Sequence, residues 1–146
     1  MRSLRTRLAT LLTLAVILAG TAACGSDSQT APSSSSNVPF SSTDLTVGTG
    51  AEATSGKTAT VTYTGWLYSS TAAENKGTQF DSGSFSFVVG SNGVIQGFSA
   101  GVVGMKEGGR RRLIIPPNLG YGAAGAGSTI PPNATLVFDV GLTRVQ

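Results

Sequence analysis

The stretch Val94-Ile95-Gln96-Gly97-Phe98-Ser99-Ala100-Gly101-Val102-Val103 decides the fold. Val94, Phe98 and Val102 fall four apart, and Ile95 and Phe98 three apart, which makes one apolar face of a short helix. Gly90 and Gly93 precede it and Gly104 follows, so there is room for about two turns. A helix this short is marginal in water and persists only if it is packed. Nearly everything after residue 43 otherwise reads as strand or turn. The expected architecture is a sheet around one small helix, with the start of that helix forming the floor of a site.

Upstream of the helix, residues 58–68 alternate. Val61, Tyr63 and Leu67 lie on one face, and Thr60, Thr62, Thr64 and Trp66 on the other, the mark of a half-buried strand. Residues 69–77 are polar and read as a loop, Phe80-Asp81-Ser82-Gly83 as a turn, and residues 85–89 as a second strand. Downstream, Glu107-Gly108-Gly109 reads as a turn, and residues 110–115 as a strand ended by Pro116-Pro117. Residues 118–133 form a long loop of Gly, Ala and Pro, a length that in a compact domain usually carries function or disorder. Residues 135–143 close the pattern as a strand with Leu136, Phe138, Val140 and Leu142 on one face. Strands without interleaved long helices argue for antiparallel pairing.

The first part of the chain has another character. Residues 1–23 combine basic residues, an apolar run from Leu8 to Ala19, and small residues, the pattern of an export signal. Thr21-Ala22-Ala23-Cys24 resembles a bacterial lipobox, with Thr21 where Leu is more usual. That resemblance implies cleavage before Cys24, lipidation of its thiol, a membrane anchor and an extracytoplasmic address. Residues 24–43 are rich in Ser, Thr, Gly and Pro and read as a disordered tether, which at about 5–6 Å × √n reaches roughly 25 Å. The folded domain is expected over residues 44–146.

Composition removes several classes of function. The whole chain carries +3, but Arg2, Arg5 and Arg7 supply that excess. From Cys24 onward seven basic residues face seven acidic ones, so nucleic acid is not an expected partner. With no His, the commonest general base and metal ligand is missing. One Cys allows neither an intrachain disulfide nor a Cys-based metal cage. Neither a metal nor another cofactor is expected. Gly120-Tyr121-Gly122-Ala123-Ala124-Gly125 matches the G-x-G-x-x-G spacing. Pro116-Pro117 before it and Gly127 and Pro131-Pro132 after it deny the strand and helix that a dinucleotide site needs. Arg110-Arg111-Arg112 reads as a solvated strand, because neighbours on a strand point to opposite faces. Asn133-Ala134-Thr135 matches a glycosylation acceptor and reads as incidental.

What remains is aromatic. Tyr63, Phe80, Phe85, Phe98, Tyr121 and Phe138 come from separate elements, and their composition alone is that of a small β-domain core. Val61-Thr62-Tyr63-Thr64-Gly65, Phe80-Asp81-Ser82, Phe87-Val88-Val89-Gly90, Val94-Ile95-Gln96-Gly97-Phe98 and Tyr121-Gly122-Ala123 occur in that order, followed by the run from Ile130 to Val140. This series resembles the FKBP-type peptidyl-prolyl cis-trans isomerases over about a hundred residues, from near Asp44 to the end. The resemblance implies an α+β fold in which a curved antiparallel sheet of five to six strands wraps one short helix.

The same resemblance implies a pocket. Asp81, Tyr121, Ile95 and Phe98 would act on the substrate, with Phe98 as the floor, the Ile95 N–H and the Tyr121 hydroxyl on carbonyls, and Asp81 orienting the rim. Tyr63, Phe80, Phe85, Val94, Phe138 and Ile130 would bind it. Proline-containing polypeptides and macrolide immunosuppressants are the implied ligands, acting on a monomer. Three departures bear on substrate preference. Phe98 stands where the family usually has Trp; the segment from Tyr63 to Phe80 is longer and that from Asp81 to Phe85 shorter than in small members; and Ala126 and Thr129 replace larger residues. The implied reaction is isomerisation of X–Pro bonds in exported proteins. A module or holdase that binds proline-containing segments without turnover is the alternative.

Overall fold

A computed structural model describes residues 37–146. The export signal, Cys24 and the tether as far as residue 36 lie outside the described residues. Five strands, β1 (Ser41–Thr46), β2 (Thr58–Tyr68), β3 (Lys76–Val88), β4 (Arg110–Ile115) and β5 (Leu136–Val145), and one helix, α1 (Gln96–Val102), make up the regular structure. The strands form a single sheet in the order β1-β4-β5-β2-β3, with every pair antiparallel. β5 is its central strand, flanked by β4 and β2, and the inward positions of β2 and β5 (Ala59, Val61, Leu136, Phe138, Val140, Leu142) are buried.

The helix lies on β4 through its glycines. A Cβ on Gly97 would come within 2.5 Å of Ile115 Cγ2, and one on Gly101 would run into the Leu113 side chain. Each glycine costs a helix about 1 kcal/mol relative to alanine. Here that cost allows the backbone to approach the sheet closely while Phe98 and Val102 bury their side chains in the core. Arg111 fixes the far end. Its Nη1 donates to the carbonyls of Gly101 and Val103 (2.9 and 3.0 Å), which the last turn leaves without helical partners. Its Nε and Nη2 bind Asp44 of β1 (2.6 and 3.1 Å). The helix C-terminus and the edge strand are thus held by one guanidinium.

Several expectations need correction. β1 was not expected, and it starts at Ser41, so the domain boundary lies before residue 43. Its residues beyond the first are exposed and show no apolar alternation that could have announced a strand. The loop after β2 is shorter than expected, because β3 begins at Lys76. Phe80-Asp81-Ser82-Gly83 is strand, not turn: pairing with β2 along its length overrides a turn-like composition. The helix starts at Gln96, with Ile95 as an extended cap. Residues 118–133 fold as two single turns, Pro117–Leu119 and Gly122–Ala124, and an Ala126–Ile130 bridge. Arg111 and Arg112 are not solvated, since both are ion-paired and mostly covered.

Candidate functional site

The site is built where β2, β3 and β5 face the N-terminus of α1. Strand alternation brings Tyr63, Phe85 and Phe138 to the inner face. Gly65 lies opposite Asp81, but the next pair is Trp66 with Gln79, so Phe80 is an extra residue in β3. Such a bulge re-aims side chains. As a result, the consecutive residues Phe80 and Asp81 both line one cavity. Gly65 leaves room for this: a Cβ there would lie 2.6 Å from Phe80 and 2.8 Å from Phe138.

The cavity holds about 180 Å³. Phe98, 3% exposed, is its floor. Its ring meets Phe138 and Tyr63 edge-on at 5.4 and 6.3 Å, and Phe85 at a tilt at 5.6 Å. Phe80 packs edge-on against Phe138 at 5.5 Å. Edge-to-face contacts of this kind add about 0.5–1.5 kcal/mol each beyond their buried area. Val94 and Ile95 form the opposite lip, and Tyr121, 39% exposed, stands at the mouth.

Polar groups are few, and their commitments differ. The Tyr63 hydroxyl donates to Asp81 Oδ2 at 2.6 Å, while Asp81 Oδ1 accepts from the Ser82 N–H at 2.8 Å. The hydrogen bond to Asp81, helped by burial and by the carboxylate's charge, pushes Tyr63 up to about 12. Asp81 is therefore engaged in holding the Tyr63 ring upright. Among the described residues, neither the Tyr121 hydroxyl nor the Ile95 N–H has a hydrogen-bond partner. The cavity thus offers an apolar bed for a ring and two unsatisfied donors at its edge.

Nine of the ten expected residues line this cavity: Asp81, Tyr121, Ile95, Phe98, Tyr63, Phe80, Phe85, Val94 and Phe138. Ile130 does not. It bridges to Ala126 through two backbone hydrogen bonds (2.9 and 3.1 Å), and its side chain is buried in the core. Two participants were not anticipated. Gly93 lines the lip, and no side-chain chemistry signals it. Phe87 backs the floor, 5.8 Å from the Phe98 ring, and its alternation with Phe85 was a usable signal.

Comparison with known proteins agrees with this geometry. The family profile of FKBP-type peptidyl-prolyl cis-trans isomerase matches residues 50–143. A protein of Neisseria meningitidis serogroup A named FK506-binding protein is 50% identical over 107 residues, covering 70% of this chain and 92% of that one. The crystal structure of a peptidyl-prolyl cis-trans isomerase from Pseudomonas syringae pv. tomato matches with a TM-score of 0.61 at 33% identity, over 73% of this chain and 75% of that one. FkpA from Escherichia coli matches with a TM-score of 0.60 at 37% identity, over 73% of this chain and 48% of that one. With its profile, its relatives and its aromatic cavity in agreement, the chain belongs to the FKBP-type peptidyl-prolyl cis-trans isomerases, enzymes that rotate X–Pro bonds in proline-containing substrates.

Proposed function

We propose that catalysis takes place in the aromatic cavity, with the prolyl ring on Phe98 and the flanking carbonyls on the Ile95 N–H and the Tyr121 hydroxyl. Rotation about an X–Pro bond must break amide resonance against a barrier of about 18–20 kcal/mol. The planar amide is more charge-separated than the twisted one, and water solvates it better. A bed of aromatic rings withdraws that solvation and so favours the twisted form. A donor on a carbonyl that flanks the isomerising bond, rather than on that bond's own carbonyl, orients it without strengthening its planar resonance form. This is differential binding of the transition state, and each 1.4 kcal/mol or so of it is worth about tenfold in rate. The observation that carries the proposal is the pairing of a Phe98 floor with two donors that have no partner among the described residues. Tyr121→Phe tests it: at full isomerisation rate with the fold intact, the assignment of Tyr121 is wrong.

FK506-type macrolides are proposed as competing occupants of the same cavity, supported by the name of the Neisseria relative. The protein is proposed to assist the folding of exported chains from a lipid anchor at Cys24, outside the cytoplasm. Support for this comes from the basic-apolar-small pattern of residues 1–23 and the position of the only Cys. Mass spectrometry of the membrane fraction tests it, and a soluble form beginning downstream of Cys24 would contradict it.

A further inference from the structure

We propose that Ser99 is a positioning residue that fastens both ends of the Gly90–Ile95 segment and thereby presents the Ile95 N–H to substrate. This inference rests on the reading that Ile95 receives a substrate carbonyl. Ser99 lies in the middle of α1 and is only 6% exposed. Its Oγ accepts a hydrogen bond from the Gly90 N–H at 3.0 Å. Its own backbone N–H donates to the Ile95 carbonyl at 3.2 Å. One residue therefore holds the segment where it leaves β3 and again where it enters the helix.

The segment has little else to hold it. Its foot is anchored by Val89 N–H on the Lys57 carbonyl (2.9 Å) and Ser91 N–H on the Val88 carbonyl (3.1 Å). Beyond Ser91, the Gly93 N–H on Ser91 Oγ (3.4 Å) and the Phe98 N–H on the Ile95 carbonyl (3.0 Å) add to this among the described residues. Gly90 itself turns at a φ of +85°, a conformation natural to glycine. A Cβ built at Gly90 would meet Ser55 Oγ at 2.6 Å. Removing the Ser99 hydroxyl takes away the partner that the Gly90 N–H has within the fold and loosens the lip that carries Gly93, Val94 and Ile95.

The test compares the protein with Ser99→Ala, Ser99→Thr and, as a control in a distant part of the core, Leu142→Val. Each is assayed on an X–Pro peptide at a temperature where circular dichroism shows it folded. Ser99→Ala is expected to raise KM about fivefold or more with kcat within about twofold, because a misplaced donor weakens binding of ground and transition states alike. Ser99→Thr, which keeps the hydroxyl, should recover most of the loss. Leu142→Val should lower Tm and leave both constants unchanged. Ser99→Ala folded with unchanged KM, or the same KM rise in Leu142→Val, overturns the proposal. Should Ser99→Ala not fold, amide exchange in the unmutated protein decides. A saturating proline peptide is expected to slow exchange at Ile95 and at Gly90 together. Slowing at Ile95 alone overturns the role of Ser99. No slowing at Ile95 overturns the carbonyl reading on which it rests.

Discussion

The two faces of the sheet are made from the same strands and are built on opposite rules. On the inner face, β2, β3 and β5 contribute rings, and the few donors at the rim lack partners among the described residues. On the outer face, charge is answered by charge. Asp139 of β5 takes Nε and Nη2 of Arg112 (2.7 and 3.1 Å) and the Lys76 ammonium (2.7 Å), and Glu74 binds both cations from the other side (2.8 Å to Lys76, 3.1 Å to Arg112). Lys76 also lies 4.5 Å above the Trp66 ring, and Thr60 and Ser86 share a hydrogen bond across β2 and β3. The Asp139–Arg112–Lys76–Glu74 network on the outer face ties β3, β4 and β5 together. The inner face is left unsatisfied, and that is where a polypeptide can gain by binding. Substitutions among the residues that line the cavity should therefore cost activity, and those in the outer-face network stability.

Phe98→Ala should have the largest effect, because Phe98 belongs to both the core and the floor. A loss of about 3–5 kcal/mol of stability is expected for a buried Phe truncated to Ala, along with near-complete loss of isomerisation. Denaturant unfolding together with a peptide assay measures both, and retained turnover would break the comparison.

Asp139→Asn comes next and should separate the faces. Burial alone would raise the Asp139 carboxyl, but hydrogen bonds from Arg112 and Lys76 outweigh it and hold the carboxyl below its ordinary range. Removing the charge leaves two mostly covered cations with Glu74 as their remaining anion, at a cost of about 1–2 kcal/mol, while kcat/KM below the unfolding transition stays unchanged. The same network sets the acid limit. Asp139, Asp44 and Glu74 all have lowered values, the latter two chiefly through hydrogen bonds from Arg111 and from Lys76. A carboxyl with a depressed folded value adds stability above its unfolded value, about 4, and loses it as the pH falls through the folded value. Unfolding free energy should therefore be level at neutral pH and fall below about pH 4, with a smaller fall in Asp139→Asn.

Tyr121→Phe is a purely inner-face change. It should lower kcat/KM by about tenfold, the worth of one hydrogen bond in the transition state, and leave Tm unchanged, because this hydroxyl has no partner among the described residues. The smallest expected effect is spectroscopic. Asp81→Asn removes the main cause of the raised Tyr63 value, so an ultraviolet titration should move one tyrosine from about 12 toward 10.

The site was more legible than the frame around it. Tyr63, Phe85, Phe98 and Phe138 could be placed because strand and helix periods write inward positions directly into the sequence. The bulge at Phe80 could not be, since a register shift depends on the partner strand as well as on the residues Asp81-Ser82-Gly83 that suggested a turn. β1 leaves no signal, because an exposed edge strand buries too little to make a pattern. The close approaches at Gly65, Gly97 and Gly101 were hidden for a related reason: a glycine does not say which distant side chain will come up against it. Ile130 heads a family run in sequence, but its bridge to Ala126 turns it into the core, which the run itself does not reveal.

The most direct test of the inner face as the catalytic one is the cis-to-trans rate of an X–Pro peptide with residues 37–146, measured with and without an FK506-type macrolide. Acceleration that the macrolide abolishes is the predicted result. Acceleration that persists with the macrolide bound would place the chemistry outside the cavity around Phe98 and Tyr121 and contradict the account.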